Sequence, residues 1–544
     1  MLLNSIWRFR LSIIPGGVIS FLLLLLAFGV FYLLFLNTNY ADLASSLITS
    51  RIMGLIKFTI FQAFLSTFFS VVIGTILAWS LAHQSTFRGR DFLVALFSSS
   101  LVLPTLIVVF GIITILGQNG WINRLLLYFF NYSFENSIYG LGGILVAHIY
   151  LNASFASRSL LHILESIPKE RYKLAKSLNF STMQRFWLIE FPAIKLSLKS
   201  ISATIFLLCF TSFAIVLTLG GSPSYNTLEV AIYEAVKIDF NIPLALKLAL
   251  IQLCITIVLV FLSANFKAGV SNIKTSTNKL PWKEPKKIEI FQICIIFLAT
   301  ILFVFPLIAI VVDGLGANFS KIFNDEIFLK SFFTSILIAT ISSILTVLFA
   351  LLISDTRRSF NIEHRIKKSK FSYFINILIS FCGNIYLAIP SLILGLGFFL
   401  FSQIFQAPLL IWALGAVLCA NILMSLPFAI SIIYPSMQRI AQRYDKLSFS
   451  LNLKGCKRWL YCEWPYIKSS VIYIFALSFC LSLGDLGVIA LFGSNDITTL
   501  PWYLYQLMGS YQTKDGAGVA LILLVLTLSV FILLPKIFSK EKNA

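Results

Sequence analysis

Apolar runs of about 20 residues recur along this 544-residue chain, and their length constrains its fold more than any other feature. A helix of about 20 apolar residues spans the roughly 30 Å hydrocarbon core of a bilayer. Hydrophobic residues make up 58% of the chain and charged residues only 12%, whereas soluble domains carry about a quarter charged residues. These values exclude a soluble globular protein and predict an all-α membrane protein.

Twelve apolar segments are candidate membrane spans, which predicts about 12 transmembrane helices. They lie near residues 13–36, 56–82, 93–117, 140–161, 197–219, 243–266, 290–312, 331–354, 373–405, 408–434, 469–493 and 517–538. The first is too long for a signal-peptide core and has no small-residue cleavage pattern, so we interpret it as a retained anchor. The ninth is too long for one crossing, so we expect it to begin as an interfacial helix.

The distribution of Lys and Arg predicts which side of the membrane each loop faces. With a cytoplasmic amino terminus and twelve spans, 34 of the 42 Lys and Arg residues fall on the cytoplasmic side and 8 on the outer side, as the positive-inside rule requires. Both termini are therefore predicted to be cytoplasmic. The net charge of +20 is expected from loops that face anionic lipid, so no nucleic-acid partner is predicted.

The two halves of the chain repeat each other. LVLPTLIVVFG at Leu101–Gly111 resembles LAIPSLILGLG at Leu387–Gly397, and TLEVAIYE at Thr227–Glu234 aligns with TLPWYLYQ at Thr499–Gln506. The latter pair is offset by 272 residues, half the chain length, which indicates a fused tandem duplication with parallel repeats. The predicted divisions are an anchor helix and outer loop at 1–55, a first repeated domain at 56–266, a cytoplasmic linker at 267–289, a seventh span and outer loop at 290–330, and a second repeated domain at 331–538.

Two basic cytoplasmic loops, residues 165–195 and 438–468, lie between the fourth and fifth spans of the two halves. In the first loop, Leu174, Ala175 and Leu178 are predicted to share one face of a short helix, next to Lys173. Asn179 is predicted to end that helix, because Asn tolerates the left-handed conformation there. The second loop repeats this plan with Lys446, Leu447, Ser448, Leu451 and Asn452.

A second short helix is predicted to follow in each loop. Ser181 and Gln184 have the spacing of a capping box at its start in the first loop, and Pro192 and Pro465 are expected to end it in the two loops. Paired basic, amphipathic elements would suit docking to a partner with twofold symmetry. They would equally suit helices that lie on anionic lipid, and the residue pattern alone leaves both interpretations open.

The spacing of these loops resembles the EAA loops of the permease subunits of binding-protein-dependent ABC importers. That pattern has Glu-Ala-Ala, a Gly and a final Pro, and here the spacing is kept from Lys173 to Pro192 and from Lys446 to Pro465. The identities differ, because Lys-Leu-Ala and Lys-Leu-Ser replace Glu-Ala-Ala and Asn replaces both Gly residues. The resemblance implies two tandem six-helix domains of the type I ABC importer fold.

Segments late in each half resemble one branch of this family, the bacterial thiamine and thiamine pyrophosphate permeases. They are LLCFTSFAIVLTLGGSPSYNTLEVAIYEA at 207–235 and LSLGDLGVIALFGSNDITTLPWYLYQLMGSYQTKDGAGVALIL at 481–523. The resemblance implies an inner-membrane subunit that carries thiamine, and its phosphates, from periplasm to cytoplasm. Fused ferric-iron permeases share the layout and are the alternative for the substrate.

The resemblance also implies the partners and the energy source. A periplasmic substrate-binding protein would deliver the substrate, and two copies of an ABC ATPase would grip the two loops. ATP would be used by that partner, and no cofactor would be bound by this chain. The sequence contains no Gly-x4-Gly-Lys-Ser/Thr phosphate loop, so we expect a translocation subunit rather than an enzyme. An ion-coupled secondary transporter is the alternative from another class.

Asp485 is a carboxylate inside an otherwise apolar span. Charged residues at membrane depth usually face a cavity or a partner, so Asp485 is a candidate for lining the translocation path or gate, and a structural hydrogen bond is the alternative. A carboxylate would suit the cationic ring of thiamine. Gly484 and Gly487 allow close helix approach and are candidates for a flexible gate. Pro104 and Pro390 are expected to kink the equivalent third spans.

Overall fold

A computed structural model gives the structure of residues 2–36, 49–85, 87–132, 138–221, 225–264, 284–387, 389–405, 408–451, 453, 455–493 and 497–539. Every regular element within these ranges is helical. The all-α prediction is confirmed.

The first half contains long apolar helices joined by short ones. Its helices are α1 (Leu2–Leu36), α2 (Ser50–His83), α3 (Arg90–Ser98), α4 (Thr105–Leu116), α5 (Trp121–Phe130), α6 (Leu141–Glu165), α7 (Lys169–Ser177), α8 (Thr182–Arg185), α9 (Phe191–Phe210), α10 (Ala214–Leu219), α11 (Leu228–Lys237) and α12 (Ile242–Ala264). Of the predicted linker, residues 267–283 lie outside the described residues, and the next helix begins within its last residues, at Lys286.

The second half repeats this order. Its helices are α13 (Lys286–Leu315), α14 (Phe319–Asn324), α15 (Glu326–Lys367), α16 (Lys370–Asn384), α17 (Ser391–Phe405), α18 (Leu409–Ser450), α19 (Gly455–Arg458), α20 (Trp464–Leu483), α21 (Gly487–Phe492), α22 (Leu500–Gly509) and α23 (Thr513–Ser539). Thus α2 corresponds to α15, α6 to α18, α9 to α20, and α12 to α23.

Among the described residues, ten helices are long and apolar enough to cross a membrane, and an eleventh is counted if the bent pair 182–195 and 197–210 forms one span. A shorter apolar helix covers Ser391–Ile404, within the ninth predicted segment. All twelve predicted segments coincide with helical residues. The lower count arises because some segments are broken helices, so the prediction of roughly twelve helices is confirmed.

The third span of each half is broken next to a proline. In the first half, α3 passes into a 3₁₀ turn at Ser99–Leu101, and Pro104 then precedes the first residue of α4. In the second half, α16 passes into a 3₁₀ turn at Ile385–Leu387, and Pro390 precedes α17. Proline has no backbone N–H and suits a helix start. The predicted kinks are therefore complete breaks at which a new helix begins.

The first helix of each half packs against the other half. Helix α1 lies against α15, α16 and α17, and α13 lies against α2 and α4. Tyr386 donates a hydrogen bond of 2.7 Å to the Leu23 carbonyl in α1. Tyr150 in α6 donates one of 2.8 Å to the Phe303 carbonyl in α13. The two halves thus exchange their first helices.

Two glycines at the ends of the repeated motifs lie at close contacts with the exchanged helices. A Cβ atom on Gly111 would lie 2.9 Å from the carbonyl oxygen of Pro306 in α13. A Cβ atom on Gly397 would lie 2.6 Å from a methyl carbon of Val30 in α1. Small residues permit such contacts between membrane helices. The two glycines therefore allow α13 and α1 to pack closely against the opposite half.

Hydroxyl groups on α2 and α15 support the start of the equivalent helices α11 and α22. The N–H of Leu228 donates to Thr59 Oγ1 at 3.1 Å, and the N–H of Leu500 donates to Ser335 Oγ at 2.8 Å. These N–H groups lie in the first turn and lack a partner within their own helix. Because the hydroxyls come from long span helices, α11 and α22 are fixed to the body of each half.

Candidate functional site

The first cytoplasmic loop contains the predicted helix, turn and second helix start. Helix α7 is followed by Asn179, which has φ +50°. The N–H of Phe180 donates to the Ala175 carbonyl at 3.0 Å, and the N–H of Asn179 donates to the Lys176 carbonyl at 3.1 Å. This pair of bonds is a Schellman motif. The predicted left-handed helix end at Asn179 is confirmed.

The capping box at Ser181 is also confirmed. The N–H of Gln184 donates to Ser181 Oγ at 3.3 Å, and the N–H of Ser181 donates to Gln184 Oε1 at 2.9 Å. Two of the N–H groups at the start of α8 that lack a helical partner are satisfied in this way. The direction of the chain between the two short helices is therefore set by local hydrogen bonds.

The predicted ends at Pro192 and Pro465 are wrong. In the first loop a π turn at Phe186–Glu190 leads directly into α9, and Pro192 lies in its first turn. In the second loop a π turn at Trp459–Glu463 leads into α20, with Pro465 in the same position. A proline in a first turn leaves no N–H unpaired. Each loop is therefore continuous with its fifth span.

The second loop differs from the first in how it begins. Helix α18 continues from the fourth span through the loop to Ser450 without the break that separates α6 from α7. The N–H of Leu453 donates to the Ser448 carbonyl at 2.9 Å, the same bond that Phe180 makes to Ala175. Asn452 and the side chain of Lys446 lie outside the described residues.

The residues of the predicted apolar face differ in burial within each loop. Ala175 and Ser448, which occupy equivalent positions, are buried. The leucines on either side point outward, with exposed fractions of 61% for Leu174, 58% for Leu178, 51% for Leu447 and 61% for Leu451. Lys173 and Asn179 are exposed as well. The prediction that Leu174, Ala175 and Leu178 share one face is therefore wrong. The small residue packs inward, and a pair of leucines on each loop remains uncovered.

A buried charged cluster, which the sequence did not predict, fixes the first loop to α2. Arg185 Nε lies 3.1 Å from Glu190 Oε1, across the π turn, and Arg185 also pairs with Glu284. His83, the last residue of α2, places Nε2 2.9 Å from Glu190 Oε1 and Nδ1 3.0 Å from Glu284 Oε1. Trp79 of α2 donates to Glu190 Oε2 at 2.9 Å. We call Arg185, Glu190, Glu284 and His83 the first-loop cluster.

Glu284 joins the predicted linker to this cluster. Burial opposes its ionisation, but the hydrogen bond and charge of His83 and the charge of Arg185 outweigh burial and hold the pKa of Glu284 below its ordinary value. Thr182 in α8 also donates to Glu284 Oε2, at 3.1 Å. The connection between the two halves is thus attached to the first loop through an ionised carboxylate.

The second loop has an equivalent cluster. Arg458 Nε lies 3.2 Å from Glu463 Oε1 across the second π turn. Arg358 of α15 contacts the same carboxylate oxygen at 2.9 Å and Asp355 at 2.8 Å, and Arg458 also contacts Asp445 at 2.7 Å. The Arg–Glu pair across the π turn is therefore repeated in both loops. The glutamate of each pair also contacts a long span helix, through His83 and Trp79 of α2 in the first loop and through Arg358 of α15 in the second.

The gate residues predicted in the second half lie where the two halves meet. A Cβ atom on Gly484 would lie 3.0 Å from the Cβ of Pro104 in the first half. A Cβ atom on Gly487 would lie within contact of Ser391 at the start of α17. Asp485 Oδ1 accepts the N–H of Gly487 at 3.2 Å. The three residues are brought together with the broken third spans of both halves.

A second carboxylate, Glu229, lies near Asp485, and the sequence pattern did not single it out. It occupies the first turn of α11 and is fully buried. Gln252 donates to its Oε1 atom at 3.1 Å, and the two carboxylates interact electrostatically. The repeat alignment could have drawn attention to Glu229, because the equivalent residue in the second half is the uncharged Pro501.

A cavity of about 420 Å³ lies between the two halves. It is lined by Ser98, Ser100 and Arg158 from the first half and by Tyr473 and Phe531 from the second. Pockets that hold small molecules usually measure roughly 300–1,000 Å³. The interface between the halves therefore contains space on the scale of a small ligand.

Comparison with known proteins gives a consistent result. Residues 70–272 and 368–538 match the family model of the binding-protein-dependent transport system inner membrane component. The chain is 34% identical to the thiamine transport system permease protein of Salmonella typhimurium over 96% of each chain, and 34% identical to that of Escherichia coli over the same shares. A ferric transport system permease protein of Actinobacillus pleuropneumoniae is 22% identical over 83% of this chain and 66% of its own length.

Proposed function

The chain belongs to the family of binding-protein-dependent transport system inner membrane components, and from this premise we propose that it is the membrane subunit of an ABC importer for thiamine and its phosphates. The family implies a multi-pass inner-membrane protein that works with a substrate-binding protein and an ATPase. The thiamine assignment is supported by relatives that align along nearly the whole chain. The ferric-iron alternative has weaker support, because that relative is more distant.

The paired exposed leucines are the observation that carries the docking proposal. Each loop presents two leucines four residues apart, Leu174 with Leu178 and Leu447 with Leu451, beside basic residues. Residues four apart lie on one face of a helix, and exposed apolar patches commonly mark interaction sites. We assign Leu174 and Leu178, with Lys173 and Asn179, to the contact with one ATPase subunit, and the buried Ala175 packs beneath them. Leu447 and Leu451, with Lys446 and Asn452, are assigned to the contact with a second copy, and the buried Ser448 takes the position of Ala175.

The charged clusters provide the route by which ATPase movement would reach the membrane. Closure of two ATPase subunits would displace both loops, and the His83–Glu190 and Arg358–Glu463 contacts would carry that displacement into α2 and α15. Packed cores and buried ion pairs transmit such shifts as rigid-body movements. ATP is used by the partner in this proposal, and this chain binds no cofactor and catalyses no reaction.

We further propose that Gly484, Asp485 and Gly487 line the path or its gate. This is supported by their contacts with Pro104 and Ser391 at the meeting of the two halves. With a cytoplasmic amino terminus and both loops on the cytoplasmic side, this meeting point lies toward the periplasm. The substrate would pass it after release from the binding protein.

Uptake of radiolabelled thiamine tests the proposal. The host is a thiamine auxotroph that lacks its own permease, and it expresses this chain with the ATPase and binding protein of the same transport system. We expect ATP-dependent uptake that unlabelled thiamine and thiamine phosphates inhibit and ferric iron does not. Inhibition by ferric iron alone, or no uptake with all three proteins present in the membrane, contradicts the proposal.

A further inference from the structure

Two carboxylates near the boundary between the halves carry an inference that rests on the proposed function and extends it. Glu229 comes from the first half, at the start of α11, and Asp485 from the second, just before α21. Helix α11 packs directly against α17 and α21 of the second half. The two carboxylates thus lie on neighbouring elements that come from opposite halves.

One oxygen of each carboxylate is buried and unpaired. Among the described residues, Glu229 Oε2 and Asp485 Oδ2 have no hydrogen-bond partner, although Gln252 and Gly487 satisfy the other two oxygens. A buried acceptor without a partner costs about 1–3 kcal/mol, and more if it is charged. Evolution of a stable fold alone would favour pairing or removing such atoms. The two carboxylate oxygens are therefore acceptors that a positively charged group could satisfy.

Each carboxylate lies at the start of a helix. Glu229 lies in the first turn of α11, and Asp485 accepts the N–H of Gly487, the first residue of α21. A helix N-terminus carries a partial positive charge that favours a nearby anion.

The pair departs from the twofold symmetry of the repeat. In the second half Pro501 stands at the position of Glu229, and in the first half Ser212 corresponds to Asp485 when Gly220 is aligned with Gly493. A structural role shared by both halves would place carboxylates at both equivalent positions. One carboxylate per half, at different positions, creates a single acidic site at the centre.

We propose that Glu229 and Asp485 together bind the cationic ring of the substrate as it passes between the two halves. A permanent cation cannot lose its charge by giving up a proton, so its transfer from water into the membrane interior is costly without a counter-charge. Two carboxylates, one on each half, would supply that charge. They would remain in contact with the ring while the halves move relative to each other.

A comparison of two substrates tests this inference. The purified complex with its binding protein and ATPase is placed in liposomes, and uptake is measured for thiamine and for the neutral isostere in which carbon replaces the thiazolium nitrogen. The variants are Glu229→Gln and Asp485→Asn. Asp313→Asn is the matched control, because Asp313 accepts a hydrogen bond from Trp121 at 3.1 Å and lies away from the pair. Because the binding protein is the same throughout, changes in the uptake ratio report on this chain.

We expect each variant to lower the ratio of thiamine to neutral-analogue uptake by at least roughly tenfold, equivalent to about 1.4 kcal/mol, and the control to leave it unchanged. The ratio does not depend on how much protein folds, so poor folding of a variant cannot imitate the result. An unchanged ratio, or equal loss of both substrates, overturns the inference while leaving the proposed function in place. Failure of the unsubstituted complex to take up thiamine overturns the proposed function and the inference with it.

Discussion

Removal of the exposed leucines on one loop is expected to weaken the binding of the ATPase by a calculable amount. Complete burial of a leucine side chain contributes about 1.5–3 kcal/mol. Leu174 and Leu178 are already partly covered, with 61% and 58% of their surfaces exposed, so docking can bury only the remainder. That remainder is worth about 1–2 kcal/mol for each leucine.

Alanine retains part of each contact, so the double variant Leu174→Ala, Leu178→Ala is expected to lose about 2–3 kcal/mol of binding free energy. This corresponds to a roughly 30- to 150-fold higher dissociation constant for the ATPase at that loop. The repeat offers an internal comparison. Leu447 and Leu451 are exposed to a similar extent, so their double variant should weaken ATPase binding by a similar factor.

The assay is surface-based binding of the purified ATPase to this chain held in lipid nanodiscs. Tyr511→Ala is the control, since Tyr511 is 89% exposed and follows α22 at the predicted outer side. It should leave the dissociation constant unchanged. If both leucine variants bind the ATPase as tightly as the unsubstituted chain, the loops do not dock through these leucines. In that case the interpretation of the loops as helices lying on lipid is favoured.

Three further results are expected. Arg185→Ala should lower the free energy of unfolding by about 3–5 kcal/mol, because it removes the guanidinium shared by two buried carboxylates and leaves His83 as their charged partner. Arg124→Ala removes only an exposed hydrogen bond and should change the free energy of unfolding little. Equilibrium unfolding in detergent measures both variants, and equal effects would contradict the prediction. Glu284 has a lowered pKa in the folded protein, so its contribution to stability is present above its unfolded pKa and is lost as pH falls through its folded pKa. Glu284→Gln should therefore make the free energy of unfolding less dependent on pH on the acid side. An unchanged dependence on pH would refute this. Gly397→Ala should lower the free energy of unfolding by about 1–3 kcal/mol, because the added methyl group overpacks against α1. Gly415→Ala adds a methyl group that meets no atom within 4 Å, so it should be neutral or slightly stabilising. Thermal unfolding compares the two variants.

The spans and the repeat could be predicted from the sequence because both depend on composition over many residues. Hydropathy averaged over about 20 residues is insensitive to a local break. For the same reason it did not separate α3 from α4 at Pro104. The prolines suggested a kink, but whether a helix bends or ends depends on the neighbours that satisfy its backbone, and those neighbours are distant in the sequence.

The turn at Asn179 and the capping box at Ser181 were predictable because their hydrogen bonds join residues within a few positions of each other. Pro192 was misread for a related reason. A proline is compatible with the start of a helix as well as with the end of the preceding one, and only the π turn before it decides between them. The sequence pattern contains no signal for that turn.

The charged groups of the site were the least predictable. Arg185 and Glu190 are five residues apart, a spacing that does not pair on an α-helix, and only the π turn brings them together. Their further partners, His83 and Glu284, are about 100 residues away in either direction. Asp485 stood out because its span is otherwise apolar. Glu229 was overlooked because a carboxylate in the first turn of a short helix is common.

The exchange of α1 and α13 bears on how a functional importer is assembled from a duplicated gene. If the two halves were separate chains, each could pair with a second copy of itself. Such a pair would contain two copies of Glu229 or two copies of Asp485 instead of one of each. Fusion makes the correct encounter intramolecular, at an effective concentration far above that of free chains in a membrane. The first half also cannot cover α2 and α4 until α13 has been synthesised and inserted. Correct pairing of unlike halves is thereby built into the order of translation.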